Sequence, residues 1–94
     1  NVAVGFDLAQ RQEHFNRELD VRGKRPEEVL AILDAFIDDA IVLGNANLKI
    51  IHGKGHGVLR DVIRTHLKTY SNIKIMHDEH VERGGSGITL INLK

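Results

Sequence analysis

The sequence predicts an α+β domain, a two-layer α/β sandwich of order βαβαββ with two helices on one face of a four-stranded mixed sheet, and three observations predict it. Short strand-like runs stand at 18–22, 48–51, 73–78 and 88–93. Two stretches of helical periodicity, 26–43 and 58–70, fill the first two gaps between them. The last two runs are separated by a turn that includes Gly84-Gly85-Ser86-Gly87 and no helix, which makes them a hairpin.

Residues 1–17 mix Val2, Val4, Phe6, Leu8 and Phe15 with polar residues in no sustained period and read as a linker or N-terminal arm, the domain proper being 18–94. In Glu18-Leu19-Asp20-Val21-Arg22 the alternation puts Leu19 and Val21 on one face of a strand and Asp20 and Arg22 on the other. Gly23 ends it. Pro26, Glu27 and Glu28 then start a helix, with proline in the first turn and acids at the positive end of the dipole. Val29, Ile32, Leu33, Phe36, Ile37, Ala40 and Leu43 recur at helical spacing until Gly44 caps the end. Leu48–Ile51 follows as a strand parallel to the first through a right-handed crossover. The second helix carries Leu59, Val62, Ile63, Leu67 and Tyr70 on one stripe, with Arg60, Arg64 and Lys68 on its other side.

Composition bounds the function. Ninety-four residues, 41% of them hydrophobic, support one small core and one domain. Thirteen Lys and Arg balance thirteen Asp and Glu, so affinity for nucleic acid has to come from a local basic patch. The absence of cysteine excludes disulfides and thiolate metal sites and suits a cytoplasmic protein. The apolar runs are far too short to span a membrane. The chain begins at Asn1 rather than Met, which points to a piece of a longer protein.

The chemistry concentrates in Ile51-His52-Gly53-Lys54-Gly55-His56-Gly57-Val58-Leu59-Arg60, where an apolar strand empties into a glycine-spaced basic loop and then a helix. Glycines at alternate positions let the backbone approach an anion with its N–H groups bare, and the helix adds its positive N-terminal end. Lys54 and Arg60 supply charge. The loop lacks the last glycine of the dinucleotide fingerprint and the Gly-Lys-Ser/Thr ending of the P-loop, so polymer phosphate is the better ligand than a nucleotide. Ligands of parallel strands bind outside their carboxyl ends, which brings Asp20, Arg22 and Gly23 to meet His52–Gly57. A carboxylate, a histidine and cations around such a gap can position a water, take its proton and neutralise the charge of phosphodiester cleavage. The plainer alternative is a tight glycine turn beside an Asp20–Arg22 ion pair. His77-Asp78-Glu79-His80-Val81-Glu82 has metal-ligand residue types but no ligand spacing, and reads as a solvated strand end. His66 reads as a packed, hydrogen-bonded histidine.

Three ordered blocks, Leu19-Asp20-Val21-Arg22-Gly23, His52-Gly53-Lys54-Gly55-His56-Gly57-Val58-Leu59-Arg60 and Gly84-Gly85-Ser86-Gly87-Ile88-Thr89, resemble the signatures of the Smr (small MutS-related) domain over about residues 18–93. Stand-alone Smr proteins usually carry histidine where this chain has Arg22; the arginine, with Asp78-Glu79-His80-Val81 ahead of the double glycine, looks most like the C-terminal domain of bacterial type-II MutS proteins. The resemblance implies a nicking or structure-dependent endonuclease that binds branched or duplex DNA or structured RNA. In that family the domain serves parent proteins that dimerise through other domains and act in recombination suppression or ribosome rescue. It implies catalytic roles for Asp20, Arg22 and His52, with His52 either base or ligand contact, and substrate contacts from Gly53, Lys54 and Gly55, to which the reading of the loop and of the double glycine adds Gly57, Arg60, Gly84 and Gly85 as nucleic-acid contacts. His56 falls at a variable position. The family's need for a divalent metal varies, which leaves Mg or Mn at Asp20 open, and no nucleotide is expected in this domain.

Two functions of different class remain. One is a nuclease domain in which Asp20 orients or deprotonates water while Arg22, Lys54 and His52 stabilise the transition state. The other is a non-catalytic module that recognises branched DNA or ribosomal RNA by shape and charge for an ATPase elsewhere in the parent chain. Protein docking on the open sheet face ranks behind both, because three Phe, one Tyr and no Trp leave little for a hot spot.

Overall fold

The computed structural model describes residues 14–94. Of the arm expected at 1–17, only 14–17 lie within the described residues, and there Phe15 stacks on Phe36 with ring centroids 5.5 Å apart. Strand β1 (Glu18–Asp20) runs parallel to β2 (Asn47–Ile51), pairing Asp20 with Ile51. The ladder continues one residue further through the Val21 N–H, which donates to the Ile51 carbonyl at 2.9 Å. Helix α1 (Pro26–Leu43) begins with proline in its first turn and ends as expected: Gly44 is left-handed and its N–H returns to the carbonyls of Ala40 and Ile41. Helix α2 (Val58–Leu67) stops three residues short of the expected Tyr70. Thr69 and Tyr70 turn tightly back onto the His66 and Leu67 carbonyls, and the Tyr70 hydroxyl bonds Asp34 of α1.

Strands β3 (Ile73–Asp78) and β4 (Ile88–Leu93) form the expected antiparallel hairpin, with a register irregularity between Ile73 and Ile75. Its connection carries two short 3₁₀ turns, Val81–Arg83 and Gly85–Gly87. Strand order is β1-β2-β4-β3, so β4 inserts antiparallel between β2 and β3. This is the mixed four-stranded sheet with two helices that the periodicities predicted.

The core lies between sheet and helices. Val29, Leu33, Phe36, Ile37 and Ala40 of α1 and Ile63 and Leu67 of α2 pack against Val21, Leu48, Ile50, Ile91 and Leu93. Burying each of these large side chains contributes about 1.5–3 kcal/mol. The alternation of β2 and β4 leaves Asn47, Lys49, Ile51, Ile88, Leu90 and Asn92 on the other face. There Asn92 bonds Asn47, and Lys49 pairs with Glu18 and Glu79. Among the described residues no helix is long and apolar enough to cross a membrane.

Candidate nucleic-acid interface

The carboxyl ends of β1 and β2 meet as the parallel pairing requires. Arg22 grips Asp20 through a two-pronged contact, Nε to Oδ1 at 3.0 Å and Nη2 to Oδ2 at 2.7 Å, while its own backbone N–H also donates to Oδ1. These bonds hold the Asp20 carboxyl well below its usual range, at about 2. The aliphatic stem of Arg22 lies over Gly53, where an added Cβ would come within 3.6 Å of Cγ. Asp20, Arg22 and the glycine loop therefore share one edge.

Gly53, Gly55 and Gly57 all have positive φ, 81°, 41° and 79°, a region costly for residues with a Cβ, which explains the alternate glycines. The loop is nevertheless less bare than its composition suggests. The His52 and Gly53 N–H groups both donate to the Gly87 carbonyl, and the Gly57 N–H to that of Lys54. Gly87 fits against the loop so closely that a Cβ there would sit 3.2 Å from Lys54 Cγ. What stays free among the described residues are the backbone N–H groups of Lys54, Gly55 and His56 and the first turn of α2, Val58, Leu59 and Arg60. No side chain caps that helix. Residues 52–59 line a depression of about 190 Å³, open at the mouth of these donors. Uncapped donors at a helix N-terminus form a ready anion site.

His52 is 4% exposed and occupied on both nitrogens. Nδ1 lies 2.9 Å from the Gly53 carbonyl, which only accepts, so Nδ1 carries the proton. Nε2 then accepts from the Thr89 hydroxyl at 2.8 Å, and that hydroxyl accepts from Arg64 Nε at 3.2 Å. Burial, reinforced by the positive charges of Arg64 and Arg60, lowers the His52 pKa and keeps the ring neutral, against the opposing pull of the Gly53 carbonyl. In this geometry the ring holds the loop in place and presents neither nitrogen to a ligand.

Arg60 and Arg64 do not form a solvated row. Both donate to Asp78 at the end of β3, Arg60 Nη2 at 3.1 Å, and Asp78 is held ionised below its usual range by them. Lys54 by contrast is exposed and has no ion-pair partner among the described residues. Gly84 and Gly85 shape the connection behind the loop: the Gly85 N–H bonds the His80 carbonyl, and Gly85 is buried. Sequence reading missed Thr89 and Asp78 as organisers of the site. Thr89 is a polar residue at a core position of β4, the one local signal available.

No three His, Cys, Asp or Glu side chains gather at one point among the described residues. A divalent ion held at Asp20 would compete with Arg22 for that carboxylate and would draw other ligands from phosphate and water.

A strand-loop-helix edge with uncapped donors lies beside a carboxylate–guanidinium pair on an open α+β sheet, the geometry of a small anion-site module. The chain belongs to the Smr domain family, whose model matches residues 19–94. It is 41% identical over 81 residues to the endonuclease MutS2 of Geobacillus sp. strain WCH70 and 44% identical over 77 residues to that of Finegoldia magna. These alignments cover 86% and 82% of this chain and 10% of each relative, so the chain spans about a tenth of their length. Among solved structures, the Smr domain of Thermus thermophilus MutS2 superposes with a TM-score of 0.78 at 35% identity, over 82% of this chain and 96% of that one. YdaL, a stand-alone small MutS-related protein from Escherichia coli, has the same TM-score at 21% identity, over 95% and 76%, and shares the fold.

Proposed function

We propose that this domain binds the phosphodiester backbone of branched or duplex DNA or of structured RNA at the β1–β2 edge and nicks it there. The observation that carries this reading is the uncapped α2 N-terminus with its free loop N–H groups, set against the Asp20–Arg22 pair and the unpaired Lys54. The relatives' name, endonuclease, agrees with it.

The bound phosphate sits over the depression, held by loop N–H groups and Lys54. Asp20 at a pKa of about 2 is a weak base while Arg22 grips it. Arg22 is exposed, and an arriving phosphate offers its fork a second bidentate partner. Transfer of the guanidinium to phosphate removes the side-chain bonds, the largest cause of the depression, leaves the Arg22 backbone N–H bond, and makes Asp20 a better base at the moment of reaction. Water then adds to phosphorus, its proton passes to the Asp20 carboxylate, the P–O bond to the leaving sugar oxygen breaks, and solvent protonates that oxygen. His52 acts in this scheme as a positioning residue for the loop.

A second reading, recognition without cutting, draws on the same pinned carboxylate, since a permanently paired Asp20 orients Arg22 and does nothing else. Binding and nicking assays on supercoiled plasmid, branched DNA and structured RNA, with and without Mg or Mn, separate the two. Nicking that disappears in Asp20→Asn while binding persists supports the nuclease; binding without products from every form leaves a recognition module; retained nicking in Asp20→Asn removes Asp20 from the mechanism.

A further inference from the structure

The cations around the glycine loop differ in their partners. The two arginines of α2 are spent: Arg60 and Arg64 share Asp78, Arg60 also lies 3.9 Å from Asp61, and Arg64 reaches Thr89, while Lys68 follows the far end of the helix. On the turn between β1 and α1 Arg22 is paired with Asp20, but its two neighbours, like Lys54 in the loop, are not. Lys24 and Arg25 are exposed and have no ion-pair partner among the described residues. The turn folds back tightly, the Lys24 N–H donating to the Val21 carbonyl at 3.2 Å, immediately beyond the residue whose own N–H bonds the end of β2. It therefore sits beside the loop: Arg22, within it, covers Gly53, and the Lys24 charge acts on the Asp20 carboxylate.

On the basis of the nucleic-acid reading above, we infer that Lys24 and Arg25 form a second phosphate subsite. A bound strand then runs from the glycine loop across the β1–α1 turn, and not along the Arg60, Arg64, Lys68 row of α2. Arginines already forked onto a carboxylate exchange one anion for another when phosphate arrives, with small net gain. Solvated cations lose no partner, and neutralising phosphates with them releases counterions. Glu27 and Glu28 follow on the first turn of α1, and their like charge disfavours a strand that continues along that helix.

The test is the salt dependence of binding, read by fluorescence anisotropy of a labelled four-way DNA junction and of a labelled RNA hairpin with the full chain. Lys24→Ala and Arg25→Ala should each flatten the slope of log K against log salt by about 0.7–0.9, one phosphate contact apiece. Lys68→Ala, on the outer face of α2, should leave it unchanged. Wild-type slopes in both turn variants, with weaker binding by Lys54→Ala, overturn the second subsite and leave the loop standing. A flattening by Lys68→Ala equal to that of Lys24→Ala overturns the path. If wild type binds neither probe, the loop reading falls, and the subsite with it. Thermal melts at the wild-type temperature, expected for exposed positions, confirm that binding alone has changed.

Discussion

Thr89→Val removes one hydroxyl and nothing else of size, and the hydroxyl joins the loop to the rest of the fold. Thr89 has no exposed surface and His52 is 4% exposed, so water cannot replace the lost bond. The His52 Nε2 becomes a buried acceptor without a donor, which costs about 1–3 kcal/mol. Arg64 keeps Asp78 and adds little to that. The extra methyl returns about 0.8 kcal/mol, leaving a net loss of roughly 0.2–2 kcal/mol and a melting point lower by roughly 1–15 °C. Thr89→Ser keeps the hydroxyl and loses a methyl, so it also destabilises, by about 1 kcal/mol. The two are told apart by the His52 pKa, followed by NMR titration. The hydroxyl bonds the neutral ring, so its loss lets the pKa rise toward the ordinary value in the valine variant, while the serine variant keeps it low. The linkage has a definite sign: the fold favours neutral His52, so the unfolded chain binds more protons below about 6.5. Its contribution to stability is full above that pH and declines as pH falls through 6.5 toward the depressed folded value. The valine variant should show a smaller decline over that interval. A valine variant that melts at or above wild type with an unchanged His52 pKa would refute the hydroxyl's role in holding the ring.

Arg22→Lys keeps the charge but not the fork; because both partners are exposed to solvent, the melting temperature should stay close to wild type while the proposed nicking falls sharply, and equal nicking rates would show that two-pronged contact is dispensable. Tyr70→Phe removes a bond to the ionised Asp34 between the helices and should cost about 1 kcal/mol in urea denaturation, an unchanged midpoint counting against it. Burial and Asp34 raise the Tyr70 pKa, so the wild-type fold should lose stability as pH climbs above 10, where the unfolded tyrosine ionises first, and the phenylalanine variant should lose less. Gly84 sits at φ 128° with Ile88 Cδ1 only 2.5 Å from an added Cβ; Gly84→Ala should destabilise by about 1–3 kcal/mol in thermal melts, and a neutral result would mean that the connection relaxes freely.

The fold was readable because each of its elements carries a local signal: the alternation around Asp20, the seven apolar positions of α1, the hairpin bounds at 73–78 and 88–93. The convergence of Asp20, Arg22 and the loop followed from parallel pairing alone. What escaped were the long-range polar contacts. His52 next to a glycine loop looks like a ligand or a base, and only Thr89, 37 positions away, turns it into a buried strut. Arg60 looks like a free cation until β3 delivers Asp78, 18 positions on. α2 reads as continuous to Tyr70 because its apolar stripe continues; Asp34, 36 positions back on another helix, bonds the Tyr70 hydroxyl beyond the helix end. Such partners have no periodicity, so no pattern in the chain announces them.

The tie between the loop and the last strand also bears on when this surface comes into being. The loop's N–H groups at 52 and 53 are held by the carbonyl of Gly87, and its histidine by Thr89, both supplied from the far end of the chain. A nascent chain that has emerged only through α2 has the glycines but nothing to set them, so it offers a floppy segment where the finished domain offers a cradle. The geometry of the loop is thus a property of the completed fold, since its shape depends on a carbonyl and a hydroxyl that only β4 and the turn before it supply.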